Sequence, residues 1–86
     1  MYIHLGNNTM LRTDEIIGVF DLDNTTVSKR TRDFLSRAEK EKRVISTSYE
    51  LPKSFVIARK NEETLIYLSQ LSTNTLLKRM AYIDSL

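Results

Sequence analysis

The sequence predicts an α+β fold, a small antiparallel β-sheet domain with one central helix and one C-terminal helix. Three observations predict it. Short β-prone runs occur in both halves of the chain, and most follow one another without a helix between them. Two segments show the helical spacing of apolar residues. Two glycines and one proline in 86 residues leave few places for a boundary, so we expect residues 1–86 to form a single domain with the order β-β-β-α-β-β-β-α.

Three strands are predicted before the central helix. Tyr2–Leu5 and Thr9–Leu11 flank Gly6–Asn8, and residues of that turn tolerate positive φ. Ile16–Phe20 is an apolar run typical of a buried strand. We therefore expect a hairpin at the amino terminus, followed by a third strand in the core.

The central helix is predicted over residues 27–42, and Asp23–Thr26 supplies its N-cap candidates. Its apolar side chains fall on one side of the helical wheel and its bases fall on the other. We therefore expect a core-facing apolar stripe and an outward basic face. The stripe consists of Val27, Phe34, Leu35 and Ala38; the opposite face holds Lys29, Arg32, Ser36 and Lys40, with Arg30 and Arg37 on one flank.

Three further strands are predicted after this helix. Val44–Tyr49, Ser54–Arg59 and Thr64–Ser69 are alternating, β-prone runs. The last two should pair as an antiparallel hairpin through the turn Lys60–Glu63. Leu51–Lys53 is expected to be a protruding loop, because its proline falls between strands, where a missing N–H costs nothing.

The C-terminal helix is predicted from Thr73 onward, with Ser72 or Thr73 as its cap. Its apolar stripe is expected to lie on the core or to cover a neighbouring subunit. The stripe consists of Leu76, Leu77, Met80, Ile83 and Leu86.

The four tyrosines admit two interpretations, stacking on nucleic-acid bases or packing with the hydroxyl in water. Packing is favoured, because these residues fall on alternating strands of a small domain. They are Tyr2, Tyr49, Tyr67 and Tyr82.

Composition excludes several kinds of site. The chain has no cysteine and its one histidine is His4, so neither a disulfide framework nor a thiolate or histidine-cluster metal site is expected. No cofactor is expected. No window approaches the roughly 18 apolar residues of a membrane span, and the amino terminus lacks a secretory signal pattern. We therefore expect a cytoplasmic protein without membrane contact.

The charges are unevenly distributed along the chain. Thirteen Lys and Arg nearly balance eleven Asp and Glu, yet residues 29–43 hold seven of the thirteen bases against Asp33, Glu39 and Glu41. Such a segment indicates a polyanionic partner. The alternative is an ordinary solvated helix in which opposite charges pair at i,i+4, for example Lys29 with Asp33.

An acidic motif follows the third predicted strand. Asp21 and Asp23, in Asp21-Leu22-Asp23-Asn24-Thr25, resemble the nucleophile and general acid of a haloacid-dehalogenase-type phosphatase that uses Mg²⁺. The favoured interpretation is capping of the central helix, worth about 0.5–2 kcal/mol. A chain of 86 residues has no room for the multi-stranded parallel sheet that such an enzyme needs. We therefore expect that this protein is not an enzyme.

The order of several short motifs resembles a small bacterial family, the extracellular matrix regulatory proteins, and within it the B-type (RemB-like) branch. No single motif is specific, but their order and spacing over nearly the whole chain are fairly specific. The motifs are Met1–Gly6, Ile17–Asp21, Pro52–Ser54, Leu71–Thr73 and Leu76–Arg79.

The resemblance implies a non-enzymatic, DNA-binding transcriptional regulator. The A-type members of this family resemble LytTR-type DNA-binding domains, assemble into rings and activate biofilm-matrix and osmoprotection genes by arraying DNA around the oligomer. Arginines in loops between strands carry DNA contact in that branch. The matching stretch here, Glu50–Lys53, holds a single base.

The leading hypothesis is thus a homo-oligomeric ring that binds double-stranded DNA chiefly through its phosphates, with Arg12, Arg30, Arg32 and Lys53 as candidate contacts. A ring makes many weak contacts at once. The alternative is a structural or interaction ring that partners another regulator without binding DNA. A Mg²⁺-dependent phosphatase at Asp21 and Asp23 ranks third.

Overall fold

The computed structural model describes residues 2–6, 8–22 and 28–84, with side chains described as far as Met80. Its elements follow the predicted order, and the α+β class is confirmed. The likeness to LytTR-type domains stays a prediction. The strands are β1 (Tyr2–Gly6), β2 (Thr9–Arg12), β3 (Ile16–Asp21), β4 (Val44–Ser46), β5 (Ser54–Lys60) and β6 (Glu63–Ser69); the helices are α1 (Lys29–Lys40) and α2 (Thr73–Asp84); a 3-10 turn, Thr13–Glu15, joins β2 to β3.

The strands form a two-stranded hairpin and a four-stranded sheet. β1 pairs with β2, and the larger sheet has the order β3-β5-β6-β4. β5 is antiparallel to both of its neighbours, as predicted for the β5–β6 hairpin, and Ser54 lies opposite both Asp21 and Ser69. That register places the end of β3, the start of β5 and the end of β6 at one edge of the sheet.

β4 runs parallel to β6, which differs from the all-antiparallel sheet that the sequence predicts. β3 and β6 are both antiparallel to β5, so β3, β6 and β4 share one direction. Strands that run in the same direction need a crossover connection between them, usually a helix. α1 is the crossover between β3 and β4, because it returns the chain to the end of the sheet where β3 starts.

The four-stranded sheet lies between two layers, because successive side chains of a strand point to opposite faces. On β5, Phe55 points toward α1 and packs with Ala38 and Ile66. On the opposite face, Val56 packs under the β1–β2 hairpin and α2 in a larger cluster. That cluster consists of Ile3, Leu5, Leu11, Val56, Ala58, Tyr67 and Leu76. The hairpin and α2 thus cover one face, and α1 covers part of the other.

Three buried hydroxyl side chains satisfy backbone carbonyls at one end of the sheet, and one of them joins the hairpin layer to the sheet. Ser69 Oγ donates to the carbonyl oxygen of Leu5 at 2.7 Å, and Ser54 Oγ donates to that of Leu71 at 2.7 Å. Thr47 Oγ1 donates to the carbonyl of Leu68 at 2.8 Å. Buried backbone carbonyls need such partners, since an unpaired one costs about 1–3 kcal/mol. Ser69 therefore joins the hairpin to the sheet, while Ser54 and Thr47 satisfy carbonyls of β6 and of the residues that follow it.

Replacing Ser69 by alanine is expected to lower the free energy of unfolding by about 1–3 kcal/mol, because the buried carbonyl of Leu5 loses its short hydrogen bond. Urea unfolding followed by circular dichroism, at one fixed protein concentration, measures the change. Ser46→Ala is the matched control, since Ser46 is exposed on β4. Equal midpoints for the two variants would contradict the anchoring role of Ser69.

The prediction for α1 is wrong in its start and its cap. The helix begins at Lys29, two residues later than predicted, and the Thr31 N–H donates to Ser28 Oγ at 3.2 Å, which makes Ser28 the N-cap. The predicted cap residues Asp23–Thr26 lie outside the described residues. The helix ends at Lys40 with Lys42 at φ +60°, and the Arg43 N–H donates to the Ala38 carbonyl at 2.9 Å. This is a Schellman ending, with lysine in the position that glycine usually takes.

The prediction for α2 is confirmed at its start. Ser72 is the cap, and its Oγ accepts from the Thr75 N–H at 3.1 Å. Leu76 is buried in the core, whereas Leu77 is half exposed. The prediction that the tyrosine side chains pack in the domain is confirmed for Tyr67, which is buried. It is wrong for Tyr2 and Tyr49, which are exposed. The side chain of Tyr82 lies outside the described part of the chain.

Candidate nucleic-acid interface

The outward face of α1 carries a concentration of exposed bases. The helix contains five basic and two acidic residues, and all seven of these side chains are exposed, while Ala38 on the opposite side is buried. Among the described residues, the ion pairs are Arg12 with Asp14 and Arg43 with Glu41, and both lie outside the helix. The predicted i,i+4 pairs are therefore absent along α1, and its bases keep their charge available to a partner.

The first turn of α1 is unusual in its electrostatics. Lys29 and Arg30 follow the N-cap directly, Arg32 comes one position after the first turn, and no acidic residue lies in that turn. The N-terminus of a helix carries a partial positive charge, so bases there are unfavourable by about 0.3–1 kcal/mol each. A bound polyanion would offset this cost, because its negative charge would lie close both to these bases and to the helix start. The free N–H groups at a helix start also favour anions.

Arg12 lies apart from α1. It ends β2, and its Nη2 is 2.9 Å from Asp14 Oδ2 in the following turn, an exposed ion pair. β3 then runs from Ile16 to Asp21, opposite the stretch of β5 from Ala58 back to Ser54. Six residues at roughly 3.3 Å each place Arg12 about 20 Å from the Lys53 end of the sheet. Arg12 therefore lies at the opposite end of the sheet from Lys53.

Lys53 lies at the end of the sheet with its backbone fixed on both sides. Its N–H donates to the Ser69 carbonyl at 2.8 Å, and its carbonyl accepts from the Leu22 N–H at 2.8 Å. Its side chain is exposed. Leu22 follows β3, two residues beyond Phe20, and Arg30 of α1 borders a groove with Phe20. Of the predicted contacts, Arg30, Arg32 and Lys53 thus lie toward one end of the molecule.

An apolar groove lies between α1 and the β3 edge of the sheet, and the sequence did not predict it. The rings of Phe20 and Phe55 are stacked with centroids 4.9 Å apart and an interplanar angle of 16°. The groove has a volume of about 250 Å³. We call it the phenylalanine groove; its lining consists of Phe20, Phe34, Phe55, Ile57, Arg30 and Thr31. Two of the aromatic side chains in its lining are partly exposed to solvent, Phe20 at 44% and Phe34 at 37%.

The connection between β4 and β5, which we call the 47–53 loop, holds two large apolar side chains that are almost fully exposed to solvent. Tyr49 is 103% exposed and Leu51 is 88% exposed, the highest values among the large apolar residues that the structure describes. The protruding loop was predicted, but the exposure of Tyr49 was not, because the alternation of residues 44–49 indicated a longer strand. β4 ends at Ser46.

The acidic motif is only partly described. Asp21 ends β3 opposite Ser54 and is exposed, and Asp23 lies outside the described residues. In the described parts of the chain, no three acidic or histidine side chains come together in a group that could hold a metal ion. The phosphatase hypothesis stays a prediction.

No helix in the described residues is long and apolar enough to cross a membrane.

Comparison with known proteins identifies relatives over nearly the whole length. Residues 2–80 match the family model of the RemA-like proteins, described as extracellular matrix regulatory protein A-like. The chain is also similar to extracellular matrix regulatory protein B of Bacillus subtilis (strain 168), with 35% identity over 83 residues, which covers 96% of this chain and 94% of that protein. The resemblance inferred from the short motifs is thereby confirmed, and it covers α1, the phenylalanine groove and the 47–53 loop.

Proposed function

The chain belongs to the RemA-like family of extracellular matrix regulatory proteins, and from this premise we propose that it is a non-enzymatic regulator that binds duplex DNA through phosphates as a homo-oligomeric ring. It would act in the cytoplasm on genes of the extracellular matrix. The observation that carries the DNA part is the exposed basic face of α1, whose bases have no ion-pair partner among the described residues.

The electrostatics of α1 support this proposal beyond a count of charges. Bases in the first helical turn weaken the isolated helix, and a phosphate backbone is the partner that would reverse the effect. Contacts of this kind position a protein on DNA without reading its sequence. Lys29 and Arg32 lie near the middle of the outward face, Arg30 lies on its flank, and Lys53 adds one further base at the same end of the fold.

A ring is proposed because a single subunit would bind DNA only weakly. One subunit offers few bases, and a few phosphate contacts give weak, strongly salt-dependent binding. A ring that presents several copies of α1 to one duplex converts the later contacts into intramolecular ones and raises the affinity by about 10²–10⁴. Oligomerisation would therefore be required for binding at physiological salt.

Fluorescence anisotropy of labelled duplex DNA across about 50–200 mM salt, with the mass in solution recorded alongside, tests both parts. We expect an oligomer several times the 10.0 kDa chain, and a logarithm of affinity that falls linearly with the logarithm of salt, by about 0.9 for each phosphate contacted. Binding that is absent at the lowest salt would contradict the DNA part. A mass of one chain would contradict the ring.

One observation favours the alternative, a ring that partners another protein. The 47–53 loop presents Tyr49 and Leu51 to solvent, and exposed apolar side chains of this size mark protein contacts more often than phosphate contacts. An oligomer that does not retain DNA is the result expected from this alternative.

A further inference from the structure

The 47–53 loop is held at both ends, so its apolar tip is preorganised. Ser48 Oγ donates to Gln70 Oε1 at 2.7 Å and accepts from the Glu50 N–H at 3.1 Å. At the other end, Lys53 is bonded through its backbone to Ser69 and Leu22. A protruding segment that is already ordered loses little conformational entropy when it binds.

The phenylalanine groove suits such a tip in size and in character. At about 250 Å³ it lies below the roughly 300–1,000 Å³ of typical small-molecule pockets. Its lining is apolar except for Arg30 and Thr31 at the rim. Phe34 does not belong to the buried cluster under α1, so its ring remains available to a partner. A groove of this kind accommodates one or two apolar side chains.

The loop and the groove also complement each other in charge. Glu50 lies between Tyr49 and Leu51 and is exposed, while Arg30 stands at the rim of the groove. The two apolar side chains would enter the groove while the carboxylate meets the guanidinium at its edge. Opposite charges at matching positions fix the register of a contact and exclude wrong partners.

The two surfaces lie on different sides of one subunit. The loop starts beside the hairpin layer, where Thr47 Oγ1 is 3.5 Å from the Leu5 carbonyl oxygen and Tyr49 borders a small pocket with Thr9. The groove opens on the opposite face of the sheet, between α1 and β3. Different surfaces that fit each other produce a head-to-tail contact, which closes into a ring when the rotation allows it.

We propose that Tyr49 and Leu51 of the 47–53 loop of one copy dock in the phenylalanine groove of a second copy, with Glu50 meeting Arg30 at the rim. The inference rests on the proposed function, since it supplies the interface of the proposed ring. It also divides the bases of α1 between two tasks: Arg30 serves the contact between subunits, and Lys29 and Arg32 remain free for DNA.

Two single variants test this interface through the mass in solution, measured by sedimentation velocity. Leu51→Asp removes the docking side chain, and Phe34→Asp puts a charge into the groove, so both are expected to reduce the mass to that of the 10.0 kDa chain. Met10→Asp is the matched control, because Met10 is an exposed apolar residue of β2 outside both surfaces. It should keep the wild-type mass, and circular dichroism checks that each variant is folded.

Mixing the two variants tests directly whether the loop of one copy pairs with the groove of another. The Leu51→Asp chain keeps an intact groove, and the Phe34→Asp chain keeps an intact loop. An equimolar mixture should therefore form a heterodimer that cannot grow further. A mixture that remains monomeric would overturn the pairing of these two surfaces.

The absence of cysteine from the chain allows a covalent test. In a double variant with Leu51→Cys and Phe34→Cys, each copy carries one thiol on the loop and one in the groove. Mild oxidation should produce a ladder of disulfide-linked dimers, trimers and larger species on non-reducing gels. Each single cysteine variant should give no species beyond a dimer, and a double variant without a ladder would count against the contact.

These results separate the interface from the ring itself. A wild-type chain that is monomeric overturns the ring and the interface together. A wild-type oligomer whose mass is unchanged by both Leu51→Asp and Phe34→Asp overturns the interface alone, and would leave the two surfaces to a partner other than a second copy.

Discussion

Replacing Lys29 and Arg32 together by glutamate is expected to lower the affinity for duplex DNA on the order of 100-fold. The slope of the logarithm of affinity against the logarithm of salt should also become shallower, by the equivalent of about two phosphate contacts per engaged subunit. Both side chains are exposed on the outward face of α1, away from the phenylalanine groove. Anisotropy across a salt series measures both quantities. The mass in solution should stay that of the wild type.

The same substitutions should not destabilise the fold, which makes the result easy to interpret. Glutamate at the first position of α1 complements the helix dipole, so the melting temperature is expected to stay equal or to rise, in line with about 0.3–1 kcal/mol per favourable charge. Loss of DNA binding in a variant that is at least as stable as the wild type cannot come from unfolding.

Lys60→Glu with Lys78→Glu is the matched control for net charge. Both lysines are exposed outside α1, and each pair of reversals changes the formal charge of +2 to −2. We expect the control pair to retain most of the affinity, because its charges lie outside the proposed contact. Equal losses in the two variants would mean that DNA responds to overall charge, and the site on α1 would be wrong.

Replacing Leu51 by serine is expected to weaken DNA binding by about 10²–10⁴ although it removes no base. The substitution deletes the exposed tip of the 47–53 loop and leaves the charge unchanged, so counterion release by each subunit is unaffected. The affinity should fall because separate subunits lose the gain that comes from several linked contacts. Anisotropy and sedimentation velocity, run on the same samples, show whether the two losses occur together.

Met10→Ser controls for the removal of an exposed apolar side chain and should leave both the mass and the affinity unchanged. Two results would contradict the proposed link. A monomeric Leu51→Ser variant with wild-type affinity would show that DNA binding does not need the ring. A variant with wild-type mass and reduced affinity would place the loop itself at the DNA.

Local sequence patterns determined most of the secondary structure of this protein. The hairpin, β5, β6 and the start of α2 at the Ser72 cap lie close to their predicted positions, because alternation, turn residues and capping act over a few neighbouring residues. The basic outward face of α1 was likewise predicted, since the helical period alone decides which side chains share a face. The family followed from the order of short motifs along the chain.

Only the tertiary structure decided how these pieces combine. The parallel position of β4 depends on where α1 returns the chain, and the distance of Arg12 from Lys53 depends on the direction of β3. The phenylalanine groove and the exposure of Tyr49 arise because α1 covers only part of the sheet and β4 stops at Ser46. These features depend on contacts between residues far apart in the chain, and a periodic pattern of neighbouring residues carries no information about such contacts.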